Sequence, residues 1–371
     1  MDAALIWEWV IKALFLIFFL LGGFAYLTWY ERKALARIQV RYGPNRAGPY
    51  GLLQPIADAV KLIFKEELTP RMADKVIFVL APIVTVVPVM LLAATVPWGP
   101  PVQIFGRTIS MSVADLNVGV LYITSIASIA VYGIVLAGWS SNNKYAILGG
   151  LRASAQMISY ELALGLAFVL PILLAGSMRL MDIVTKQAEM GWFVLIQPVG
   201  ALIFLIATLA EIGRAPFDMP DAEQELSSSY HSEYSGMKFA LFFMAEYEKM
   251  IVICAIAATL FFGGFLGPGV EKWPLLGPVY LLAKIIVLLF LMIWVRATFP
   301  RIRYDRLMAL GWKVLLPTAL GLVFVTALGI LMAEAVHPTL LWIVPFISLA
   351  AGILAVWMVE RALRRKEYAR R

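Results

Sequence analysis

Long apolar runs alternate with short polar connections along the chain. The runs of a length that crosses a bilayer, about 20 residues each, lie near residues 5–29, 74–96, 118–139, 154–175, 193–211, 237–264, 277–299, 314–335 and 340–359. This pattern predicts an all-α integral membrane protein, in which a bundle of about nine transmembrane helices forms a single membrane domain over residues 1–371. The first run lacks the features of a cleaved signal peptide, so we expect it to be retained.

One segment of the connection 30–73 has a different pattern, because polar and apolar residues alternate with helical periodicity between residues 52 and 66. The polar stripe is Gln54, Asp58, Lys61 and Lys65, and the apolar stripe is Leu52, Ile56, Val60 and Ile63. This predicts an amphipathic helix lying flat at the cytoplasmic interface. The helix is either a plain surface anchor or part of a polar cavity, since Asp58 and Lys61 are spaced to pair.

Basic residues are unevenly divided between the two sides of such a bundle. When the connections are assigned to alternate sides, one side receives 24 of the 31 Lys and Arg residues and the other receives four. The remaining three, Lys12, Lys249 and Lys284, lie within the apolar runs. Because basic residues are retained in the cytoplasm, this predicts an N-terminus outside and a C-terminus inside the cell.

Composition excludes several classes of protein. The chain is 61% hydrophobic and 15% charged, with a mean hydropathy of +0.84, so it is too apolar for a soluble globule. The net charge of +7 reflects topology and attraction to anionic lipids, and we expect no nucleic-acid partner. Cys254 is the only cysteine and the two histidines lie in connections, so we expect no metal site, disulfide or heme, and any electrons must arrive from another protein.

The basic connection contains a loop with a fixed shape. Residues 43–49 read GPNRAGP, and the two prolines and two glycines predict a rigid, turning backbone around Arg46. Such a loop is typical of a docking surface or of the mouth of a pocket. For Lys33 and Arg37, upstream of the loop, we favour simple anchoring at the membrane surface.

Ionisable residues inside the predicted spans are candidates for function. Glu161 lies about two turns inside the fourth span, where an unpaired carboxylate loses its hydration. Glu246 and Glu248 occupy a comparable depth in the sixth span. Lys249 is spaced to pair with Glu246, and Lys284 in the seventh span is another candidate cation.

The connection 211–236 is acidic. It begins with Glu211 and continues with Asp218, Asp221, Glu223, Glu225 and Glu233. The stretch 215–220 is apolar and contains two prolines, so we expect its backbone to fold into the protein. Crowded carboxylates in a half-dry site titrate as a coupled set, whereas the glycine register of a calcium-binding loop is missing. Trp29, Phe217 and Tyr230 are candidates to contact a flat ligand.

Four long motifs in order carry a family resemblance: residues 30–67 (YERKALARIQVRYGPNRAGPYGLLQPIADAVKLIFKEE), 138–162 (GWSSNNKYAILGGLRASAQMISYEL), 210–226 with 230–247 (AEIGRAPFDMPDAEQEL and YHSEYSGMKFALFFMAEY), and 294–313 (WVRATFPRIRYDRLMALGWK). With these motifs the chain resembles the quinone-channel membrane subunit of respiratory complex I, the NuoH family of proton-translocating NADH:quinone oxidoreductase. The resemblance covers nearly the whole chain, and it implies a multi-pass protein of the prokaryotic cell (inner) membrane.

The resemblance implies a subunit with no redox centre of its own. Quinone would be a substrate, with none bound covalently, and iron–sulfur clusters and FMN would lie only in partner subunits. The expected partners are peripheral iron–sulfur subunits at the cytoplasmic face, small membrane subunits, antiporter-like pumping subunits and membrane lipids.

The resemblance also assigns roles to residues. The acidic path that links quinone reduction to proton pumping would consist of Glu161, Glu211, Glu223, Glu225 and Glu246. The quinone channel and its portal would be lined by Trp29, Arg32, Arg41, Arg46, Asp58, Ala59, Lys61, Phe217 and Tyr230. Some members carry an acid in the third span, where this chain has Ser128, and many have eight spans.

Two other functions fit the same sequence. A homologous subunit of a membrane-bound hydrogenase or related reductase would share these motifs, because this subunit does not contact the electron donor. A stand-alone secondary ion transporter would also place acids and lysines in its helices.

Overall fold

The computed structural model describes residues 3–104, 107–219, 229–335 and 343–353. The helices, in chain order, are α1 (Ala3–Ile38), α2 (Gln54–Phe64), α3 (Lys75–Ala93), α4 (Gly119–Ser140), α5 (Lys144–Ala175), α6 (Leu180–Met190), α7 (Phe193–Ile196), α8 (Pro198–Ile212), α9 (Gly236–Phe261), α10 (Leu276–Thr298), α11 (Tyr304–Leu310), α12 (Leu316–Ala335) and α13 (Val344–Ile353). One π-helical turn, Gly311–Leu315, joins α11 to α12. A short antiparallel hairpin, β1 (Val102–Ile104) and β2 (Arg107–Ile109), lies between α3 and α4 and pairs Gln103 with Thr108.

The predicted fold class is confirmed. Within the described ranges, six helices are long and apolar enough to cross a membrane: α1, α3, α4, α5, α10 and the continuous α11–α12. Helix α9 has the length but carries several charged residues, and α8 and α13 are shorter. Part of the ninth predicted run, 340–342 and 354–359, lies outside the described residues.

Two helices extend beyond the predicted apolar runs. Helix α1 continues to Ile38 and therefore takes up the first basic residues of the connection 30–73. No glycine or proline interrupts the chain there before Gly43, so nothing ends the helix sooner. Helix α5 begins at Lys144, where the side chain of Asn143 accepts a hydrogen bond from the backbone N–H of Tyr145. Glu161 therefore lies roughly 25 Å along α5, at 1.5 Å per residue.

The amphipathic helix is confirmed as α2, and its two faces are oriented as its periodicity requires. The apolar side chains Ile56, Val60 and Ile63 are exposed on the chain's surface, while Gln54 and Asp58 are half-buried toward α1. This orientation points the apolar stripe away from the bundle, as in a helix that rests on lipid.

Small residues let the helices around the site approach closely. A Cβ at Gly133 of α4 would stand 2.1 Å from the Thr85 hydroxyl of α3, and one at Gly149 of α5 would stand 2.2 Å from the Ser229 hydroxyl. Helix α9 runs through the centre of the molecule and is buried almost continuously from Tyr247 to Phe261. Its charged residues are therefore held against the other helices.

Candidate functional site: a charged path through the membrane domain

A buried arginine joins three segments of the chain. Gly213, at φ 79°, ends α8 in a left-handed conformation and turns the next residue, Arg214, back into the bundle. Arg214 Nη1 lies 3.0 Å from Glu31 Oε1 on α1, and Arg214 Nε lies 2.5 Å from Glu246 Oε1 on α9. The planar guanidinium is suited to such a bridge, because its donors point in several fixed directions.

Further groups surround this bridge. Arg296 of α10 also binds Glu31, and the aromatic ring of Tyr247 lies 4.3 Å from the guanidinium carbon of Arg214. Although burial lowers the pKa of Arg214, the carboxylates of Glu246 and Glu31 outweigh burial and raise it overall. Arg214 therefore stays charged, in a site where only 4% of the residue is exposed.

A second ion pair lies next along α9. Lys249 Nζ is 2.9 Å from Glu211 Oε1 and also donates a hydrogen bond of 3.2 Å to the backbone carbonyl of Glu211. Both residues are buried. Glu211 Oε2 has no hydrogen-bond partner within the described part of the chain, so the carboxylate keeps one oxygen available.

Glu161, on α5, is hydrogen-bonded from the neighbouring helix α4. The hydroxyl of Ser128, on α4, donates a hydrogen bond to Glu161 Oε1, and the same hydroxyl lies 3.0 Å from the carbonyl oxygen of Thr124. Ser128 therefore places a hydroxyl of α4 against the acid of the next helix.

Two cavities flank the Lys249–Glu211 pair. The smaller, about 40 Å³, is lined by Glu246, Tyr230 and Thr85 among others, and it has room for about two or three water molecules. The larger, about 770 Å³, is mostly apolar and contains Glu161 and Ser128. Its lining includes three exposed apolar residues of α4 and α5, so it opens to the outer surface of the bundle: Leu121, Ile158 and Leu162.

The predicted portal residues meet in part where α1 crosses α2. Arg32 Nη1 lies 2.8 Å from Asp58 Oδ2, and the predicted pair of Asp58 with Lys61 is confirmed at 3.3 Å. Burial raises the pKa of Asp58, but Arg32 and Lys61 outweigh burial and lower it overall. Trp29 Nε1 donates to the Tyr50 carbonyl at 3.2 Å, which ties the shaped loop to α1.

The other predicted ligand contacts are dispersed. Arg41, Arg46 and Ala59 are exposed on the connection between α1 and α3. Phe217 is buried, and its ring packs 5.6 Å from that of Tyr160. Tyr230 lines the smaller cavity.

The acidic connection is described only in part. Its apolar stretch is folded into the protein as predicted, because residues 215–218 are buried. Asp218 lies 2.8 Å from Arg301, and Glu233 accepts a hydrogen bond of 2.7 Å from Asn143. Glu223 and Glu225 lie outside the described residues.

The two candidate lysines bind groups other than those that their positions in the sequence suggest. Lys249 binds Glu211 rather than Glu246, because α9 turns the lysine toward the end of α8 while Glu246 faces Arg214. Lys284 binds no acid among the described residues; its ammonium donates to the backbone carbonyls of Gly264 and Leu266, at 2.7 and 2.8 Å, where the chain leaves α9.

Sequence reasoning missed two members of the site. Glu31 lies in a segment dominated by basic residues, and Arg214 counts in the sequence only as a topology signal. A weak signal is present, because Glu31 is an acid among five nearby basic residues and Arg214 is the single arginine in an acidic stretch. Their pairing across 183 residues has no local signature.

Comparisons with known proteins identify the family. The family model described as NADH dehydrogenase matches residues 11–327. The chain belongs to the NuoH family of NADH-quinone oxidoreductase. It is 51% identical over 330 residues to one of the H-type subunits of NADH-quinone oxidoreductase from Geobacter sulfurreducens, covering 86% of this chain and 94% of that protein.

Two further members of the family show how far the similarity extends. NADH-quinone oxidoreductase subunit 8 of Thermus thermophilus is 50% identical over 322 residues, 87% of each chain. The NuoH protein of Deinococcus radiodurans is 47% identical over 369 residues, covering 96% of this chain and 91% of that protein. The chain is thus a membrane subunit of complex I, an oxidoreductase complex whose substrate is quinone.

Proposed function

We propose that this chain lines the quinone channel of NADH:quinone oxidoreductase and couples quinone reduction to proton translocation through buried carboxylates. The observation that carries the proposal is the sequence of buried charged contacts from α1 to α5. Glu31, Arg214 and Glu246 form its cytoplasmic part, and Glu211 and Lys249 continue it toward Glu161. Buried charges in a membrane domain are costly unless they serve a function, which supports this role.

The portal in this proposal lies where α1 crosses α2. The apolar stripe of α2 rests on lipid, from which an isoprenoid tail enters, and the Arg32–Asp58–Lys61 group lies at the polar edge. Trp29, Phe217 and Tyr230 are proposed to contact quinone along its passage, with Arg41, Arg46 and Ala59 at the rim. The head is then reduced by an iron–sulfur cluster of a partner subunit.

Coupling is electrostatic and requires no covalent chemistry in this chain. Reduction of quinone draws protons or shifts charge beside Glu31 and Arg214. Because neighbouring charged groups on this path either contact one another or line the same cavity in a low-dielectric interior, the change alters the equilibrium at Glu246, Glu211 and finally Glu161. Glu223 and Glu225 are proposed to extend this acidic path.

The assembly follows from the same proposal. The exposed basic connection between α1 and α3 docks on peripheral iron–sulfur subunits at the cytoplasmic face, and the membrane faces contact small membrane subunits and antiporter-like pumping subunits. The N-terminus lies on the outer side of the cell membrane and the C-terminus on the inner side. FMN and iron–sulfur clusters belong to partners. The names of the relatives favour this assembly over a hydrogenase.

The test is made in the assembled complex, reconstituted in proteoliposomes. Glu161→Gln and Glu211→Gln preserve side-chain shape and remove the charge, so we expect each to lower the number of protons pumped per electron pair. Glu189→Gln is the matched control, since Glu189 is an exposed acid of α6 paired with Lys186 at 2.8 Å. Wild-type pumping in both Glu161→Gln and Glu211→Gln would remove these acids from the mechanism.

A further inference from the structure

The two cavities of the membrane domain share one wall. Among the described residues that line the small inner cavity and the large cavity, only Glu211 and Lys249 line both. The ion pair between them, at 2.9 Å, therefore stands between a compartment with room for water and a compartment that contains Glu161. Any proton that moves from the Glu246 side to Glu161 by way of these cavities passes this pair.

Lys249 interacts electrostatically with more than one carboxylate. Its ammonium is bound to Glu211 in the structure, yet Glu161 lines the same large cavity and interacts electrostatically with both Glu211 and Lys249. When all three groups are ionised, one cation is shared by two anions. Lysine is suited to such sharing, because its compact charge sits on a flexible stem of four carbons.

The carboxylates of Glu161 and Glu211 have different hydrogen-bond partners apart from Lys249. Glu161 is held from α4 by Ser128, whose single hydroxyl hydrogen goes either to Glu161 or to the Thr124 carbonyl. Glu211 has one carboxylate oxygen without a partner among the described residues. Glu246, which lines the small cavity with Lys249, is paired with Arg214.

We propose that Lys249 is a movable counter-ion that exchanges between Glu211 and Glu161 and thereby gates proton passage between the two cavities. This inference rests on the proposed function and adds a residue and a step to it. A proton that binds ionised Glu211 from the inner cavity neutralises that carboxylate, and the Lys249 ammonium then moves to ionised Glu161. No bond other than the O–H bond on Glu211 forms, and the summed charge of the three groups rises by the one proton bound.

The reverse movement returns the proton to the cavity system. When Lys249 comes back to Glu211, it favours the ionised form of that carboxylate, and the proton leaves. Glu161, no longer neutralised by the lysine, then attracts a proton in the large cavity. Because one ammonium pairs with only one of the two carboxylates at a time, Lys249 acts as a gate between them.

The test compares three variants of the assembled complex in proteoliposomes. Lys249→Met keeps length and removes charge, and we expect it to lose most of the wild-type ratio of protons pumped to electrons transferred while quinone reduction continues. Lys249→Arg retains a cation and is expected to rescue much of that ratio. The matched control is Lys284→Met, which removes a half-buried lysine that contacts carbonyls and the Trp192 ring but no acid among the described residues.

The ratio separates gating from damage, because a smaller amount of intact complex lowers both rates together. A wild-type ratio in Lys249→Met would overturn the inference. If Glu211→Gln loses pumping while Lys249→Met does not, the carboxylate path stands and the gate alone is wrong. If Glu211→Gln and Glu161→Gln both pump normally, the proposed function itself is wrong.

A measurement on the unaltered complex covers the case in which Lys249→Met does not assemble. Structures of the complex with quinone oxidised and reduced are compared at the lysine. We expect the Lys249 ammonium to be bound to Glu211 in one state and to Glu161 in the other. An ammonium bound to Glu211 in both states contradicts the exchange.

Discussion

Replacing Arg214 by methionine tests the central bridge directly. The substitution removes the cation between Glu31 and Glu246, whose ion pairs with Arg214 measure 3.0 and 2.5 Å. Glu31 keeps Arg296, but Glu246 loses the ion pair that Arg214 supplies. Breaking a buried ion pair by removing one partner costs about 3–5 kcal/mol, because the remaining charge stays in a medium that solvates it poorly.

Hydrogen exchange in the assembled complex measures this cost locally. Arg214 ties the segment after α8 to α1 and α9, so the amides of residues 211–219 exchange only when those ties open. A loss of about 3–5 kcal/mol accelerates exchange there by about two to three and a half powers of ten. Amides in α6, which supplies no residue to this bridge, serve as the internal reference.

A second substitution separates the electrostatic cause from a packing defect. If the loss of the Arg214–Glu246 ion pair is responsible, Arg214→Met combined with Glu246→Gln should exchange more slowly than Arg214→Met alone. Equal or faster exchange in the double variant would refute the electrostatic reasoning. Unchanged exchange in Arg214→Met would refute the bridge itself.

Two further predictions concern the cytoplasmic connection. The ion pairs of Asp58 with Arg32 and Lys61 lower the pKa of Asp58 below the ordinary value of about 3.9. The docking of α2 on α1 should therefore be constant above about pH 4 and weaken as the pH falls through that lowered pKa. Spin-label distances between α1 and α2 should lengthen only in acid, and Asp58→Asn should abolish the pH dependence. Gly51→Ala should destabilise the shaped loop, since φ of Gly51 is +77° and a Cβ there would stand 2.3 Å from the Pro44 carbonyl oxygen. A Cβ at Gly22 meets nothing within 4 Å, so Gly22→Ala is the control and should be neutral. The rate of proteolysis within residues 43–53 should rise in Gly51→Ala and stay unchanged in Gly22→Ala.

The local pattern of apolar and polar residues predicted those features that depend on a single segment, namely the helices and the pairs within one helix. The apolar runs correspond to helices because each segment must satisfy its own backbone hydrogen bonds in lipid. The alternation between residues 52 and 66 predicted α2 and its Asp58–Lys61 pair, since partners three residues apart on one helix meet without help from the rest of the chain. The helix ends were less accurate, because helical propensity carries α1 past the bilayer to Ile38.

Pairings between segments could not be predicted in the same way. Lys249 has an acid three residues before it and binds a different one 38 residues away. The choice depends on how α9 is rotated against α8, and many side chains together determine that rotation. Glu31 and Arg214 illustrate the same limit, because their partnership joins segments that are remote in the sequence.

The charged groups form a nearly continuous path from the C-terminal end of α10 to the wall of the large cavity. In order of contact or shared lining they are Arg296, Glu31, Arg214, Glu246, Lys249, Glu211 and Glu161. Cations and anions alternate along most of this array, so it stays close to neutral, which makes its burial tolerable.

Such an array also transmits change. A proton added to one acid weakens the hold on its neighbouring cation, which is then attracted more strongly by the next acid. Two of the three cations are arginines with planar, fixed donors, and only Lys249 carries its charge on a flexible stem. The part of the array able to rearrange is therefore the part nearest Glu161. The fixed cations stand beside the cytoplasmic end, where quinone chemistry is proposed, and the movable one stands between the cavities.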